Sequence, residues 1–369
     1  MSFRPPSHQV PVFLVTGIDD EAMAAATMGL QWDLPTPVVL AYAIDRPSQH
    51  LVRVVSDLTG VLERETIDLA HACVHCAIRE DVIPTLIRLA GVGRWEAIVA
   101  RLPLAAEAMQ VCRVAGYEPS RVADLRIAGV IAALTGEHAG EDLTGPEVLP
   151  ERGVEIFEGD ERGVAEVAAG LIEYADIITV HGEIDRDAAE LIRALARPGA
   201  MVVTDWPGFD GRQLASGIHD LETTEAWVSE VQRGPLPAIA TSDVWRLDLS
   251  SERPFHPQRL QDHIETLGTG MHRSRGCFWL PSRPDAVCVW DCAGGQLSIG
   301  IAGQWRFREQ PMTRIVVTGR FVDGDPRAEL RQAFAAALLT DDEVATRELH
   351  WPVRRDGLEP WLGSISETA

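Results

Sequence analysis

Hydrophobic positions along this chain follow two rhythms. Through the first two-thirds, short apolar runs alternate with stretches of helical period, an order that predicts a parallel sheet with crossover helices. The runs predict strands at Val10–Thr16, Val38–Ile44, Leu51–Ser56, Ala97–Ala100, Ile177–Val180 and Met201–Thr204. The clearest crossover helix covers Gly163–Tyr174, where Val164, Val167, Ala168, Leu171 and Ile172 share one face, and Asp185–Ala196 predicts another. Residues 136–163 break the rhythm with acidic and turn-rich sequence, and read as an excursion from the sheet. A second boundary falls near Pro235–Pro254, after which the pattern becomes hairpin-like. A helix follows His256 as far as Leu267, and strands are expected at Cys277–Leu280, Ala286–Trp290, Gln296–Ile301 and Arg314–Phe321. Gly294-Gly295 supplies a turn and Arg327–Leu339 a closing helix.

The first strand ends at Gly17, where a parallel sheet of this kind would place a phosphate-binding loop. Such a loop uses backbone N–H groups, a lysine and a hydroxyl that meets Mg²⁺. Here Gly17 is followed by Ile18-Asp19-Asp20-Glu21-Ala22-Met23-Ala24, so carboxylates fill the cradle, Met23 takes the lysine slot and Ala24 the hydroxyl slot. The chain contains no lysine at all. Asp19, Asp20 and Glu21 read best as a solvated helix start favoured by the helix dipole, with a divalent ion or an arginine-rich partner as the other use.

With 369 residues and 46% hydrophobic positions, the chain can bury two cores. Its net charge of -22 argues against broad contact with a phosphate backbone, so a nucleic-acid partner would be reached through another protein. No apolar run is long enough to span a bilayer, and a cytoplasmic location without membrane contact is the expectation. The six cysteines are too few and scattered for a disulfide framework. His71, Cys73, His75 and Cys76 gather four soft or borderline donors that suit Zn²⁺, with His181 or Cys112 as a distant further ligand. The same segment also fits a reduced, partly buried cysteine pair or a redox-active C-x-x-C. Trp279, Trp290 and Trp305 read as strand core before partner surface, and Arg273, Arg275 and Arg283 as a basic cluster used for surface ion pairs.

Two stretches resemble the CobW-type GTPases, a family linked to cobalamin synthesis and zinc handling. Ala72-Cys73-Val74-His75-Cys76-Ala77-Ile78-Arg79-Glu80-Asp81 is similar to that family's Gly-Cys-x-Cys-Cys-x-x-Arg-Asp-Asp element, with His75 in place of the middle cysteine. Arg273-Ser274-Arg275-Gly276-Cys277-Phe278-Trp279-Leu280, then Arg283-Pro284-Asp285 and Ala293-Gly294-Gly295, resemble its C-terminal module, and Glu173-Tyr174-Ala175-Asp176 the lead-in to its guanine-reading strand. The departures fall on the nucleotide motifs. Ala100-Arg101-Leu102-Pro103 stands where the family has Glu-Thr-Ser-Gly, and Gly182-Glu183-Ile184-Asp185 keeps only the aspartate of Asn-Lys-x-Asp.

The resemblance implies a P-loop-NTPase-like doubly wound parallel sheet with a degenerate phosphate loop over residues 1–240, a small α+β CobW-type domain over 255–345, and a tail over 346–369. Cys73, His75 and Cys76 are the implied zinc ligands. Gly17 and Asp185 are remnants of the nucleotide site, and Asp185 is read first as a helix cap. No catalytic residue is assigned, GTP with Mg²⁺ is not expected to be held, and efficient hydrolysis is not expected from a scaffold without cationic stabilisation. A lysine-free relative of this kind is similar to the actinobacterial subgroup described as ribosome-hibernation-factor-recruiting GTPases. That likeness implies a zinc-responsive adaptor partnering a hibernation factor and the ribosome. The alternative is a GTP-dependent zinc metallochaperone, and a third reading is a metal sensor working through Cys73–Cys76.

Overall fold

Val12, Phe13, Leu14 and Val15 are sealed from solvent on both faces of the strand Val10–Gly17 (β1), the pattern of a central strand in a parallel sheet. The computed structural model describes residues 9–45, 50–67, 77–154, 159–239, 241–322, 324–346 and 355–365. The following strands are Pro37–Asp45 (β2), His50–Asp57 (β3), Gly60–Ile67 (β4), Ala97–Arg101 (β5), Leu125–Thr135 (β6), Ile177–His181 (β7) and Met201–Thr204 (β8). They make one sheet in the order β4-β3-β2-β5-β1-β6-β7-β8. From β2 across to β8 every pairing is parallel, while β3 and β4 extend one edge as an antiparallel hairpin.

Because side chains alternate across a strand, β1 feeds two cores. Val12 and Leu14 pack with Val38, Leu40, Ile98 and Val130 under the helix Ile83–Val92. Phe13 and Val15 face the other way, onto Ala22, Met23, Ala26 and Leu30 of the helix Asp20–Asp33. Each such Val, Leu, Ile, Phe or Met side chain contributes about 1.5–3 kcal/mol on burial. Helices on both faces give the doubly wound architecture that the sequence rhythm predicts.

Three strands go unread in that rhythm: β4, β6 and Val244–Ser251 (β9). The most consequential is β6, which pairs with β1 and β7 and is buried almost throughout. Its continuous apolar run, rich in alanine, has neither the alternation of a half-buried strand nor a helical stripe. The excursion after β6 is well packed where it is described, with Ala139, Leu143, Thr144 and Leu149 fully buried; residues 155–158 of it lie outside the described residues.

The chain divides into two compact units, Met1–Ala139 with Val148–Val228, and Gly140–Glu147 with Ser229–Ala369. The second is built on β9 with His272–Leu280 (β10), Arg283–Ala293 (β11), Gln296–Gln304 (β12) and Thr313–Arg320 (β13). These form an antiparallel sheet in the order β12-β11-β10-β13-β9. Helices Pro257–Gly268 and Arg327–Ala337 contribute to its core, where Phe255 meets Phe334 edge to face at 5.4 Å. Trp290 is fully buried and donates to Ser274 Oγ at 2.9 Å, Trp279 is buried and Trp305 half-buried.

The expected surface cluster of arginines does not form. Arg273 is buried and ion-pairs with Asp291 of the neighbouring strand, and Arg275 is half-buried. The Arg283 side chain is wholly enclosed, 2.9 Å from Asp356 Oδ2, and donates to the carbonyls of Leu362 (2.9 Å) and Gly363 (2.7 Å). Ser282 Oγ adds a bond to the same carboxylate at 2.8 Å. Leu358 and Leu362, from the stretch read as a tail, are members of the core. Spacing in sequence cannot reveal such partners, because strand register and a distant segment supply them.

Removing one member of a buried pair strands the other charge. Arg283→Ala is therefore expected to cost about 3–5 kcal/mol in stability, measured by urea unfolding. Burial by itself would raise the Asp356 carboxyl, yet the Arg283 and Ser282 hydrogen bonds outweigh it and hold its pKa below the ordinary 3.8. A depressed carboxylate contributes stability that is present above its unfolded pKa and lost as pH falls through the folded one. The second unit should therefore lose this increment progressively below about pH 4, and Asp356→Asn should flatten that part of the pH–stability profile.

Candidate functional site

In an open parallel sheet, ligands bind beyond the carboxyl ends of the strands. At that edge the junction after β1 is short and closed. Gly17 ends the strand, Asp19 caps the next helix, and the helix begins at Asp20. Asp19 Oδ1 accepts from the Ala22 amide at 2.7 Å, so one of the N–H groups that a helix start could offer an anion is already bonded to the chain's own carboxylate. Asp20 and Glu21 occupy the first turn, as expected of a dipole-favoured helix start. Asp20 ion-pairs with Arg101, the last residue of β5.

Gly17 has no room for a side chain. A Cβ there would lie 2.5 Å from the Ala133 carbonyl oxygen and 2.9 Å from Met23 Cγ, and Met23 is fully buried. The residue in the lysine slot therefore packs inward as core. From the other side, the loop after β5 folds onto the end of β1: Leu102 N donates to Val15 O at 2.9 Å and Ala105 N to Gly17 O at 2.8 Å. Ala105 holds a left-handed φ of 55°, a conformation that costs a non-glycine residue about 1–3 kcal/mol and is fixed here by that bond. A triphosphate finds no glycine-rich amide cradle and no lysine at this place. The residues present do not fit that group.

Further along the edge, Gly182 follows β7 and its amide donates to Asp205 Oδ1 at 3.2 Å. His181 Nδ1 lies 3.4 Å from Asp205 Oδ1 and Nε2 3.9 Å from Glu21 Oε1. Asp185 is exposed and sits at the cap position of the helix Arg186–Leu195; its carbonyl accepts from Ala189 N at 2.9 Å, while its side chain caps nothing. The structure thus gathers Gly17, Asp20, Glu21, Arg101, His181 and Asp205 at the strand ends, with acid in excess. Arg101 and Asp205 were not predicted as site residues from sequence. The first stood only as a mismatch to a motif, and the second comes from a strand end with no motif.

The candidate zinc ligands Cys73, His75 and Cys76, with His71, lie outside the described residues. Just beyond them a short π-helical turn, Ile78–Val82, leads into the helix Ile83–Val92, and its Asp81 is buried. Asp81 accepts from Tyr42 Oη at 2.6 Å and ion-pairs with Arg53, which also reaches Glu65 and Thr85. Burial, reinforced by Asp81, raises the Tyr42 pKa, so the phenol stays a donor. This network fastens the Ile78–Val82 turn to β2, β3 and β4. Cys112 belongs instead to the apolar core, where burial pushes its thiol up and disfavours the thiolate a metal needs. Among the described residues, no group of three or more His, Cys, Asp or Glu side chains is arranged to hold a metal ion. No helix among them is long and apolar enough to cross a membrane.

Comparison with known proteins bears on both units. Residues 244–338 match the family of the cobalamin synthesis protein cobW C-terminal domain. The chain is 29% identical, over 96% of its length and 94% of the relative's, to the zinc chaperone Rv0106 of Mycobacterium tuberculosis. It is 20% identical to the zinc-regulated GTPase metalloprotein activator 1 of Dictyostelium discoideum, over 65% of this chain and 54% of that protein. Among solved structures, the Zn(II)-bound YjiA GTPase from E. coli is 18% identical and aligns with 89% of this chain and 99% of its own, at a TM-score of 0.35. The chain thus resembles the cobW C-terminal domain at residues 244–338, and this stretch follows a doubly wound α/β unit.

Proposed function

We propose that this protein is a CobW-type zinc chaperone that works without a GTP switch. The observation that carries the reading is the Asp19 carboxylate on the Ala22 amide, at the helix start where a nucleotide phosphate would need free N–H groups. The buried Met23, the Asp20–Arg101 ion pair and the absence of lysine support it. The name of the mycobacterial relative supports zinc as the cargo. Cys73, His75 and Cys76 are the proposed ligands, a few residues before Asp81 in the sequence.

A second reading is favoured by charge. A chain of net charge -22, with Asp20, Glu21 and Asp205 at its strand ends, complements a basic protein and repels bare RNA. That fits a zinc-responsive adaptor bringing a hibernation factor to the ribosome.

Titration of the purified protein with GTP and Mg²⁺ should give flat calorimetry, and saturable Mg²⁺-dependent binding would overturn the nucleotide-free reading. Zinc content measured on the same preparation should fall by at least tenfold in the Cys73→Ser/Cys76→Ser variant, which corresponds to a loss of about 1.4 kcal/mol or more in affinity. Retention of full zinc by that variant would move the metal site elsewhere. For the adaptor reading, affinity purification from zinc-starved cells should recover ribosomes, and their absence there while present in zinc-replete cells would refute it.

A further inference from the structure

The second unit contains a cavity of about 580 Å³ that none of the preceding chemistry uses. It lies between the end of the helix Pro257–Gly268, the start of β10, the end of β13 and the start of the helix Arg327–Ala337. Its size is within the range of pockets that enclose a ligand, roughly 300–1,000 Å³. Three polar side chains in its wall have unused bonding capacity. His272 is 2% exposed, and its Nε2 has no hydrogen-bond partner among the described residues. Glu265 and Glu329 are exposed, and neither carboxylate has an ion pair or hydrogen bond among the described residues.

A buried polar atom without a partner is costly, and native structures tend to satisfy it with a protein group, water or ligand. The Leu267 carbonyl interacts with the His272 ring, and burial lowers the ring's pKa, which leaves a neutral imidazole whose Nε2 can serve as an acceptor. The other carboxylate in the wall, Asp325, is already engaged by Arg327 at 2.6 and 2.7 Å. Arg320 is the single arginine in the lining, and its guanidinium packs against Gly140. Unused acceptor capacity therefore predominates, which calls for a cationic donor. Met271, Val322, Pro326 and Leu330 line the rest of the wall. A bare metal ion would leave that apolar surface unused, whereas an alkyl stem would cover it.

We propose that this cavity receives an arginine or lysine side chain from a basic protein segment, held by Glu265, Glu329 and His272. The apolar wall takes the stem and the carboxylates take the charge, a division of labour typical of specific pockets. The net charge of -22 would draw a basic partner. The cavity shares no residue with the nucleotide and zinc readings, and stands or falls apart from them.

The test is calorimetry of the full chain at low salt with a capped tetra-arginine peptide, a tetra-glutamate counterpart and spermidine. The arginine peptide should bind and the glutamate peptide should not, and Glu265→Gln/Glu329→Gln should weaken binding by at least about tenfold, the loss of at least one charge-assisted hydrogen bond. His272→Gln should weaken it as well, with circular dichroism confirming that each variant is folded. Glu118→Gln/Glu161→Gln removes the same charge from the first unit and should leave binding unchanged. Equal weakening by that control would reduce the effect to general electrostatics and overturn the proposal. So would absence of binding to the unaltered chain, or spermidine binding as tightly as the peptide with the same dependence on Glu265 and Glu329.

Discussion

A strand can occupy the middle of a parallel sheet only if both of its faces are dry and its backbone groups are paired, and β1 meets that requirement at a cost at its carboxyl end. With β5 on one side and β6 on the other, Gly17 is pressed against the Ala133 carbonyl and Met23. The loop after β5 then uses the Gly17 carbonyl as its own anchor. Once those contacts exist, little freedom remains for the β1–helix junction. The early helix start at Asp20, the inward Met23 and the strained Ala105 all answer to the same crowded position.

That crowding changes what the departure from a phosphate loop means. A missing lysine alone would leave an unoccupied cradle that other residues could line. Here the replacement is constructive, because Asp19 satisfies a helix amide and Asp20 satisfies Arg101. Negative charge has been built into the place where a nucleotide would bring its own. The interactions that stabilise the junction are thus the ones that would meet an incoming phosphate with like charge, so stability and the proposed absence of a GTP switch are aspects of one arrangement.

Much of the fold was legible in the sequence, and the reasons differ by element. Val164 to Tyr174 announced its helix because five apolar residues share one face, and the Gly294-Gly295 turn announced a hairpin. β6 was silent because a strand buried on both faces needs no alternation, and its alanines suit a helix equally well. The helix start at Asp19 to Glu21 was readable from local charge and the helix dipole, while the Asp19 cap came only with the fold. Asp205 and Asp356 were not readable, since their roles arise from strand ends and chain segments far apart in sequence. The arginines of the second unit illustrate the same limit: Arg273 and Arg275 are neighbours on one strand, but Arg283 finds its partner 73 residues away.

Asp356, Leu362 and Gly363 are held by Arg283, a side chain that emerges from the sheet itself, and Leu358 and Leu362 add apolar contacts in the same core. Covalent linkage to the rest of the polypeptide is therefore not alone in seating this segment. If the chain were cut upstream of it, residues 355–365 would behave as a removable plug with its own address in the domain, and a synthetic copy could restore the missing wall by fragment complementation.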